Sequence, residues 1–119
     1  MNPVKFTCKG NPVDPNEIRQ LSVEACKKRL AELSKGLAHP ARVEIVRMLE
    51  NKPSEERCVC GDIVNALPLA QSSVSQHLKV LKETGWIQGE IDGTRVCYCT
   101  VGGIMEYYFA LIKRSLKGE

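Results

Sequence analysis

Four of the six cysteines in this 119-residue chain stand in two pairs, each with a single residue between its members. The first pair is Cys58 and Cys60, and the second is Cys97 and Cys99. Thiolates are soft ligands that favour thiophilic ions such as Cu(I) and Zn(II) and, by the same logic, trivalent arsenic and antimony. In a reducing compartment, such clusters indicate metal binding or redox chemistry more than structural disulfides.

The rest of the sequence indicates the compartment in which this chemistry would take place. No apolar run approaches the roughly 18 residues of a membrane span, and the N-terminal residues MNPVKFTCKG lack the apolar core of a secretory signal. We therefore expect a cytoplasmic protein with reduced cysteines and no membrane partner. No nucleophile stands with a base in a pattern that supports a thiol-based enzyme, so we expect no enzymatic activity.

Length and composition predict a single domain with an aliphatic core. Hydrophobic residues make up 43% of the chain, whereas aromatic residues make up only 5%. Charged residues of both signs make up 26%, as in a soluble protein. The net charge of +3 permits a nucleic-acid partner but does not require one, because a local basic patch matters more than the sum.

The stretch from Leu67 to Ile87 predicts an amphipathic helix around which the other elements can be arranged. Val74, Leu78 and Leu81 fall on one helical face, at spacings of four and three residues. The other side is rich in Ser and Gln, whose side chains can reach the base edges of nucleic acid. An ordinary surface helix has the same pattern, so the neighbouring elements must decide between the two interpretations.

Two helices are predicted before the first cysteine pair. The first begins with Asp14 as its N-cap and bends near Ser22. The second has Pro40 in its first turn, and its core face is formed by Val43, Val46 and Leu49, flanked by Ile45. Residues 1–13 form an extended N-terminal arm, and residues 14–119 form the domain.

The later elements predict a winged helix-turn-helix. A short helix over about residues 62–67, a tight turn and a helix over residues 69–84 form the helix-turn-helix unit. Asp92-Gly93 between two extended runs predicts a hairpin wing, and a last helix ends near Lys117. The fold class is therefore mainly α with a small β-hairpin. The wide apolar surface of the last helix, with the first helix, is consistent with a dimer interface or with packing on the core.

Four segments in this order resemble the ArsR/SmtB family of metal-responsive transcriptional repressors. The Cys-Val-Cys motif is similar to that of the arsenic-responsive branch. The resemblance covers about residues 30–116. It implies a homodimer, formed through the first and last helices, that binds double-stranded operator DNA and releases it when the metal binds. The four segments are LAHPARVEIVRMLE (37–50), CVCGDIV (58–64), LAQSSVSQHLKVLKETGWI (69–87) and DGTRVCYC (92–99).

The resemblance assigns DNA contacts to the helix over residues 69–84 and to the wing. His77 and Lys79 are expected at phosphates or at the turn, and Arg95 at the backbone or minor groove. Ala70 stands where family members usually carry a Ser or Thr cap. The loss of this cap costs roughly 1 kcal/mol of stability. The residues expected to contact base edges or phosphates are Gln71, Ser72, Ser73, Ser75 and Gln76.

Arsenite bonds to three sulfurs, so the pair of Cys58 and Cys60 needs a third thiol. The arsenic-responsive pattern places it three residues after the pair, where this chain has Ile63. One alternative is the wing: a loop at Asp92-Gly93 would pair Gln88 with Cys97 and Trp86 with Cys99. This register puts both wing thiols on an accessible polar face, together with Gln88, Glu90 and Arg95. If residues 57–60 form a neighbouring strand with Val59 inward, four sulfurs could converge within one subunit.

Cys8 in the arm is the alternative third ligand. A related cadmium- and lead-responsive branch adds arm cysteines of the partner subunit to the Cys-x-Cys pair, whereas Cys26 is expected in the core. The implied inducer is As(III) or Sb(III), and Cd(II), Pb(II) and Zn(II) remain open. A repressor of the same fold that responds to thiol oxidation or persulfide formation also remains open. A His- and Asp-based site on the last helix is not supported, because residues 102–119 contain neither residue type.

Overall fold

A computed structural model describes residues 12–52 and 57–119 of the chain. Cys8 and most of the predicted arm lie outside the described residues. The described part is mainly helical with one small antiparallel sheet, as predicted. Its elements are a 3-10 helix (Pro15–Gln20), α1 (Val23–Gly36), α2 (Pro40–Glu50), β1 (Cys58–Val59), α3 (Cys60–Ala66), α4 (Gln71–Thr84), β2 (Ile87–Asp92), β3 (Arg95–Thr100), α5 (Ile104–Ile112) and a π-helical turn (Lys113–Lys117).

Side-chain caps explain where the first helices begin. Asp14 accepts a hydrogen bond from the N–H of Asn16 at the start of the 3-10 helix. The Ser22 hydroxyl then accepts the N–H of Ala25 at 3.1 Å and starts α1. A Ser cap interrupts the preceding turn because its own backbone is extended, so the bend predicted near Ser22 is confirmed.

The second helix, α2, starts as predicted but is rotated relative to the predicted core face. His39 is its N-cap, and His39 Nδ1 accepts the N–H of Ala41 at 3.0 Å. Ile45, Val46 and Leu49 are buried, whereas Val43 is 47% exposed. The prediction of Val43 as a core residue is therefore wrong, because burying Ile45 turns Val43 towards the surface.

The helix-turn-helix unit follows the predicted pattern closely. The third helix, α3, begins at Cys60, two residues before the predicted start, and Asp62 accepts the N–H of Val59 at 3.2 Å. On α4, the predicted apolar stripe of Val74, Leu78 and Leu81 is buried. Gly85 ends α4 with a φ of 99°, a left-handed conformation that glycine adopts at little cost.

The sheet has the strand order β1-β3-β2, and its hairpin register differs from the predicted one. Asp92 pairs with Arg95, so the loop residues are Gly93 and Thr94. Among the described residues only glycines have a positive φ, and Gly93 supplies it at the first loop position. A loop of Asp92 and Gly93 would usually require a positive φ at Asp92 as well. The strand pairing is shifted by two residues, so that Gln88 lies opposite Cys99 and not Cys97. The predicted pairs are therefore wrong, but each side chain stays on its predicted face.

Trp86 connects α1 to the end of α4 in the core. Its indole N–H donates to the carbonyl oxygen of Leu33 at 2.6 Å, and its ring packs edge-on against Tyr108 with centroids 5.0 Å apart. A Cβ at Gly36 would lie 2.5 Å from the Trp86 ring, so the close packing of α1 on this ring requires glycine. The indole is completely buried.

The last helix, α5, packs on this core through Ile104, Tyr107 and Leu111. Tyr107 is 7% exposed. Phe109 is 54% exposed on the opposite side, and Leu116 in the following turn is 74% exposed. In the described ranges, no helix combines the length and the apolar character needed to cross a membrane.

Candidate DNA interface and thiol site

The outer face of α4 presents small polar side chains on a rigidly anchored helix. Val74 and Leu78 are buried beneath it, so the polar side chains between them point away from the core. His77 is half-buried at the edge of this face. The exposed residues of α4 that were expected to contact DNA are Gln71, Ser72, Ser73, Ser75, Gln76 and Lys79.

The wing lies beside this face across a cavity. Arg95 is exposed at the start of β3, where the register places it opposite Asp92. Ser75 of α4 and Arg95 line one cavity of about 520 Å³. The structure therefore brings together α4 and the wing cation, the two elements predicted to contact DNA.

Arg42 is a residue of this region that the sequence interpretation left without a role. Its guanidinium lies 3.3 Å from Nδ1 of His77, at the edge of the polar face of α4. The rings of His39 and His77 are also close, with centroids 4.4 Å apart. Burial first, and then the positive charges of His39 and Arg42, lower the pKa of His77 below its ordinary value of 6.5. The only feature of the sequence that could have indicated this position of Arg42 is its place in the first turn of α2, two residues after Pro40.

Cys58, the first member of the first pair, lies on the core side of the sheet. Cys58 is opposite Tyr98 in the antiparallel register, and Val59 is opposite Cys97. Directly opposite residues project from the same face, so Cys58 shares the face of Tyr98 and Val59 shares the face of Cys97. The prediction that Val59 points inward is wrong, because this register directs Cys58 into the hydrophobic core, where it is only 1% exposed.

Cys60 is the more accessible member of the first pair. It is half-buried at the first position of α3 and lines the same cavity as Ser75 and Arg95. Burial, followed by the nearby Cys60, raises the pKa of Tyr98, which also lines this cavity. The Cys60 thiol therefore lies between α4 and the wing.

The second cysteine pair lies on the opposite side of the sheet. Cys97 is 5% exposed and lies opposite Glu90, whose carboxylate pairs with the buried guanidinium of Arg57. Gln88 donates to the sulfur of Cys99 at 3.6 Å, and Cys99 takes part in a disulfide. The prediction of two accessible, reduced wing thiols is therefore wrong for Cys97 because of burial and for Cys99 because of this bond.

The four sulfurs do not converge within one subunit. Cys58 and Cys97 lie on opposite faces of the sheet, because residues 58 and 97 are offset by one position in the register. Within residues 12–52 and 57–119, no group of three or more His, Cys, Asp or Glu residues is arranged to hold a metal ion. Cys26 is fully buried in the core, as expected. The described residues thus supply Cys58 and Cys60, without a third thiol beside them.

The chain is similar in sequence to known bacterial regulatory proteins. The family described as "Bacterial regulatory protein, arsR family" matches residues 39–88, from the cap of α2 to the start of β2. The chain is 45% identical over 67 residues to the "HTH-type transcriptional repressor SmtB" of Mycobacterium tuberculosis. This match covers 56% of the chain and 47% of the relative, so the chain spans about half of that protein's length.

A second relative is covered more completely. The chain is 35% identical over 93 residues to the "Uncharacterized HTH-type transcriptional regulator Rv0081" of M. tuberculosis, over 78% of the chain and 79% of the relative. The crystal structure of Rv0081 matches with a TM-score of 0.58 and 29% identity, and covers 77% of this chain and 89% of that chain. Both sequence relatives are named as transcriptional regulators, and neither is named as an enzyme.

A solution structure from Mycobacterium bovis confirms the fold class. This domain, Mb0332, is described as a homodimeric winged helix-turn-helix DNA-binding domain. It matches with a TM-score of 0.62 and 24% identity, over 81% of this chain and 89% of that chain. The winged helix-turn-helix predicted from the sequence is therefore confirmed.

Proposed function

This chain belongs to the bacterial ArsR family of regulators, and on that premise we propose that it is a homodimeric, metalloid-responsive repressor of transcription. It binds double-stranded operator DNA through α4 and the wing, and it dissociates when its thiolates bind As(III) or Sb(III). The observation that carries the proposal is the position of Cys60, which lines the cavity between α4 and the wing. A ligand at this thiol lies between the two DNA-binding elements.

The DNA-binding part of the proposal is supported by the surface of α4. Its exposed hydroxyl and amide groups are suited to base edges, and Lys79 and Arg95 supply positive charge for phosphates. A helix-turn-helix dimer usually contacts two half-sites about 34 Å apart. The repressor thus reads sequence with Gln and Ser side chains and is positioned on the duplex by its cations.

The homodimer is formed through the first and last helices. The support is exposed apolar surface: Phe109 on α5 and Leu116 in the following turn are both exposed to solvent. Exposed apolar patches commonly mark protein–protein interfaces. Phe109 and the exposed Val43 line an apolar cavity of about 370 Å³ between α2 and α5. A second copy that covers this surface removes it from water.

The inducer binds to Cys58, Cys60 and a third thiol from the N-terminal arm. Arsenite needs three sulfurs, and both wing cysteines lie on the face of the sheet opposite Cys58. Cys8 is therefore the third ligand in this proposal, and it lies outside the described residues. Cd(II), Pb(II) and Zn(II) also bind thiolates, so they are the competing inducers to compare.

Arsenite-induced release from DNA tests the ligand set. The wild-type protein is bound to a fluorescent duplex, which is first selected by the protein from a random library, and arsenite is then added. We expect Cys58→Ser, Cys60→Ser and Cys8→Ser to keep DNA binding and to lose release, because each removes one of three sulfurs. Cys97→Ser is the control and releases like the wild type, since its side chain lies on the other face of the sheet.

Normal arsenite-induced release by both the Cys58→Ser and the Cys60→Ser proteins would refute this ligand set. Loss of release in the Cys97→Ser protein, with Cys8→Ser unaffected, would instead make the wing the source of the third thiol. Stronger release by Cd(II) or Pb(II) than by arsenite would keep the site and change the inducer.

A second candidate function is a repressor that responds to thiol oxidation or persulfide formation. The observation in its favour is that Cys99 takes part in a disulfide. Thiols that exchange between the reduced and disulfide states can switch a protein between two conformations. Release by hydrogen peroxide or polysulfide, without any effect of arsenite or Cd(II), and its loss in Cys99→Ser, would support this alternative over the metalloid proposal.

A further inference from the structure

Arg42 joins three helices at the edge of the face that α4 presents to DNA. Its Nε donates to the carbonyl oxygen of Gly36 at 2.8 Å, and its Nη2 donates to the carbonyl oxygen of Lys35 at 3.2 Å. Its Nη1 lies 3.3 Å from Nδ1 of His77 on α4. One side chain of α2 therefore contacts both the end of α1 and α4.

These contacts use carbonyl groups at the end of α1, of which that of Lys35 also accepts the N–H of Ala38 at 3.2 Å. Lys35 and Gly36 are the last residues of α1, and carbonyl groups in the last turn of a helix have no acceptor role within it. An arginine satisfies them well, because its planar guanidinium carries five N–H donors in a fixed geometry. The same fixed geometry directs Nη1 towards His77.

The environment of His77 selects one form of its ring. Arginine can only donate, so Nδ1 of His77 accepts and the proton of the neutral ring is on Nε2. The charged or titratable groups that face this ring are His39 at the cap of α2 and Arg42 itself, and both oppose a second proton. His77 also lines a shallow depression with Ser72, Ser73 and Gln76, so the fixed ring borders the DNA-contact surface.

We propose that Arg42 is a positioning residue for DNA recognition, which fixes the polar face of α4 relative to the end of α1 through its contact with His77. The inference rests on the proposed function, in which α4 contacts DNA and α1 contributes to the dimer interface. In a dimer, the distance between the two α4 helices depends on how each is held against the dimerisation helices. Arg42 makes this connection at His77, and Arg29 of α1 makes a second one by donating to the Thr84 carbonyl at the end of α4.

The test compares Arg42→Gln with Lys35→Gln, measured for affinity to the selected duplex and to a random duplex. Lys35→Gln is the matched control, because it removes one positive charge from the same corner and leaves the Lys35 carbonyl in place. We expect Arg42→Gln to lose about tenfold or more in affinity for the selected duplex, as for a lost charge-assisted hydrogen bond. For the random duplex, both variants should lose similar, small amounts. Arg42→Lys restores the charge without the planar fork, so it should recover only part of the affinity.

Two further measurements separate positioning from a general loss of structure. In the His77→Ala background, Arg42→Gln should cost little additional affinity, because the contact through which it acts is already absent. In an NMR titration, Arg42→Gln should raise the pKa of His77, whereas Lys35→Gln should leave it unchanged. The first result is not expected if Arg42 merely stabilises the fold, and the second shows that the Arg42 charge lies beside His77 in solution.

Several outcomes would overturn the inference. Equal losses for the selected and random duplexes in Arg42→Gln would make Arg42 a simple phosphate contact. A full additional loss in the His77→Ala background would show that Arg42 acts without His77. If the wild type prefers no duplex, the proposed function itself fails, and the inference fails with it. A clear preference that Arg42→Gln leaves unchanged refutes only the inference.

Discussion

At the scale of single residues, the two thiols of the first pair differ most in their surroundings. Cys58 belongs to the hydrophobic core, whereas Cys60, two positions later, lines a cavity beside α4. The difference arises because the chain changes from strand to helix between them, so alternation no longer determines where the second side chain points. A ligand that needs both sulfurs must therefore bridge the core and the surface.

His77 is the residue through which acidity is expected to affect stability. Its pKa in the folded protein is below the ordinary value of 6.5, so between these two values the unfolded chain binds more protons than the folded one. Its contribution to stability is complete above pH 6.5. We expect the free energy of unfolding, measured by urea denaturation, to decrease as the pH falls below this value through the folded pKa.

The control for this prediction is His77→Gln, which cannot titrate in this range. Its unfolding free energy should depend less on pH between about 7.5 and 5.5 than that of the wild type. Identical pH dependence in the two proteins would show that groups other than His77 account for the effect.

At the scale of elements, α4 lacks a side-chain cap at its beginning. Ala70 occupies the N-cap position with an extended backbone, φ −66° and ψ 150°, and its methyl group cannot accept a hydrogen bond. The N–H groups of Ser73 and Val74 bond to the Ala70 carbonyl, so only the earlier donors remain for a side-chain oxygen.

We expect Ala70→Ser to stabilise the protein by about 1 kcal/mol, because a serine hydroxyl can accept one of these N–H groups. The reverse change at a similar position, Ser22→Ala, removes the observed cap of α1 and should destabilise by a similar amount. Both are measured as changes in urea midpoint at constant slope. An unchanged midpoint in Ala70→Ser would mean that solvent already satisfies these donors.

The elements that the sequence predicts well are those with local causes. The cap of Asp14, the proline at Pro40 and the glycine at Gly85 each determine a helix end by chemistry within a few residues. The buried stripe of α4 follows from its period. These features need no knowledge of the rest of the chain, which explains why they could be predicted.

The features that the sequence did not predict depend on distant parts of the chain. The hairpin loop lies one residue later than predicted, which shifts the strand pairing by two, because both candidate loops contain the same glycine. Val43 is exposed because of how α2 packs on other helices, a choice that its own period leaves open. The face of Cys58 depends on its register with Tyr98, 40 residues later in the chain. The contacts of Arg42 likewise join residues 35, 36 and 77, which no local motif relates.

At the scale of the whole molecule, the exposed apolar side chains form the surface through which the proposed dimer would associate. Phe109 on α5 and Val43 on α2 border the same apolar cavity, although they are distant in sequence. Ile91, which is 82% exposed, lies apart from them on the wing. Within the described ranges, Val43 and Phe109 thus share one apolar surface, and Ile91 lies outside it.

We expect Phe109→Glu to weaken dimerisation by about tenfold or more, because it places a charge in an interface that excludes water. The measurement is sedimentation equilibrium, with circular dichroism to confirm that the helices are kept. Ile91→Glu is the control, since it changes an even more exposed apolar residue outside the proposed interface and should leave the association unchanged. Equal effects of the two changes, or none from Phe109→Glu, would contradict a dimer formed through α5.

The burial of Cys58 also has a consequence for the speed of the response. If arsenite is the inducer, as proposed, it can reach Cys60 at the cavity, but Cys58 is 1% exposed and would become reachable only when β1 and the start of α3 open locally. Such an opening occurs at a rate that the protein sets and the inducer does not. At low arsenite the response time should shorten with concentration, and at high arsenite it should reach a constant value. The repressor would then ignore pulses of inducer that are briefer than this opening time.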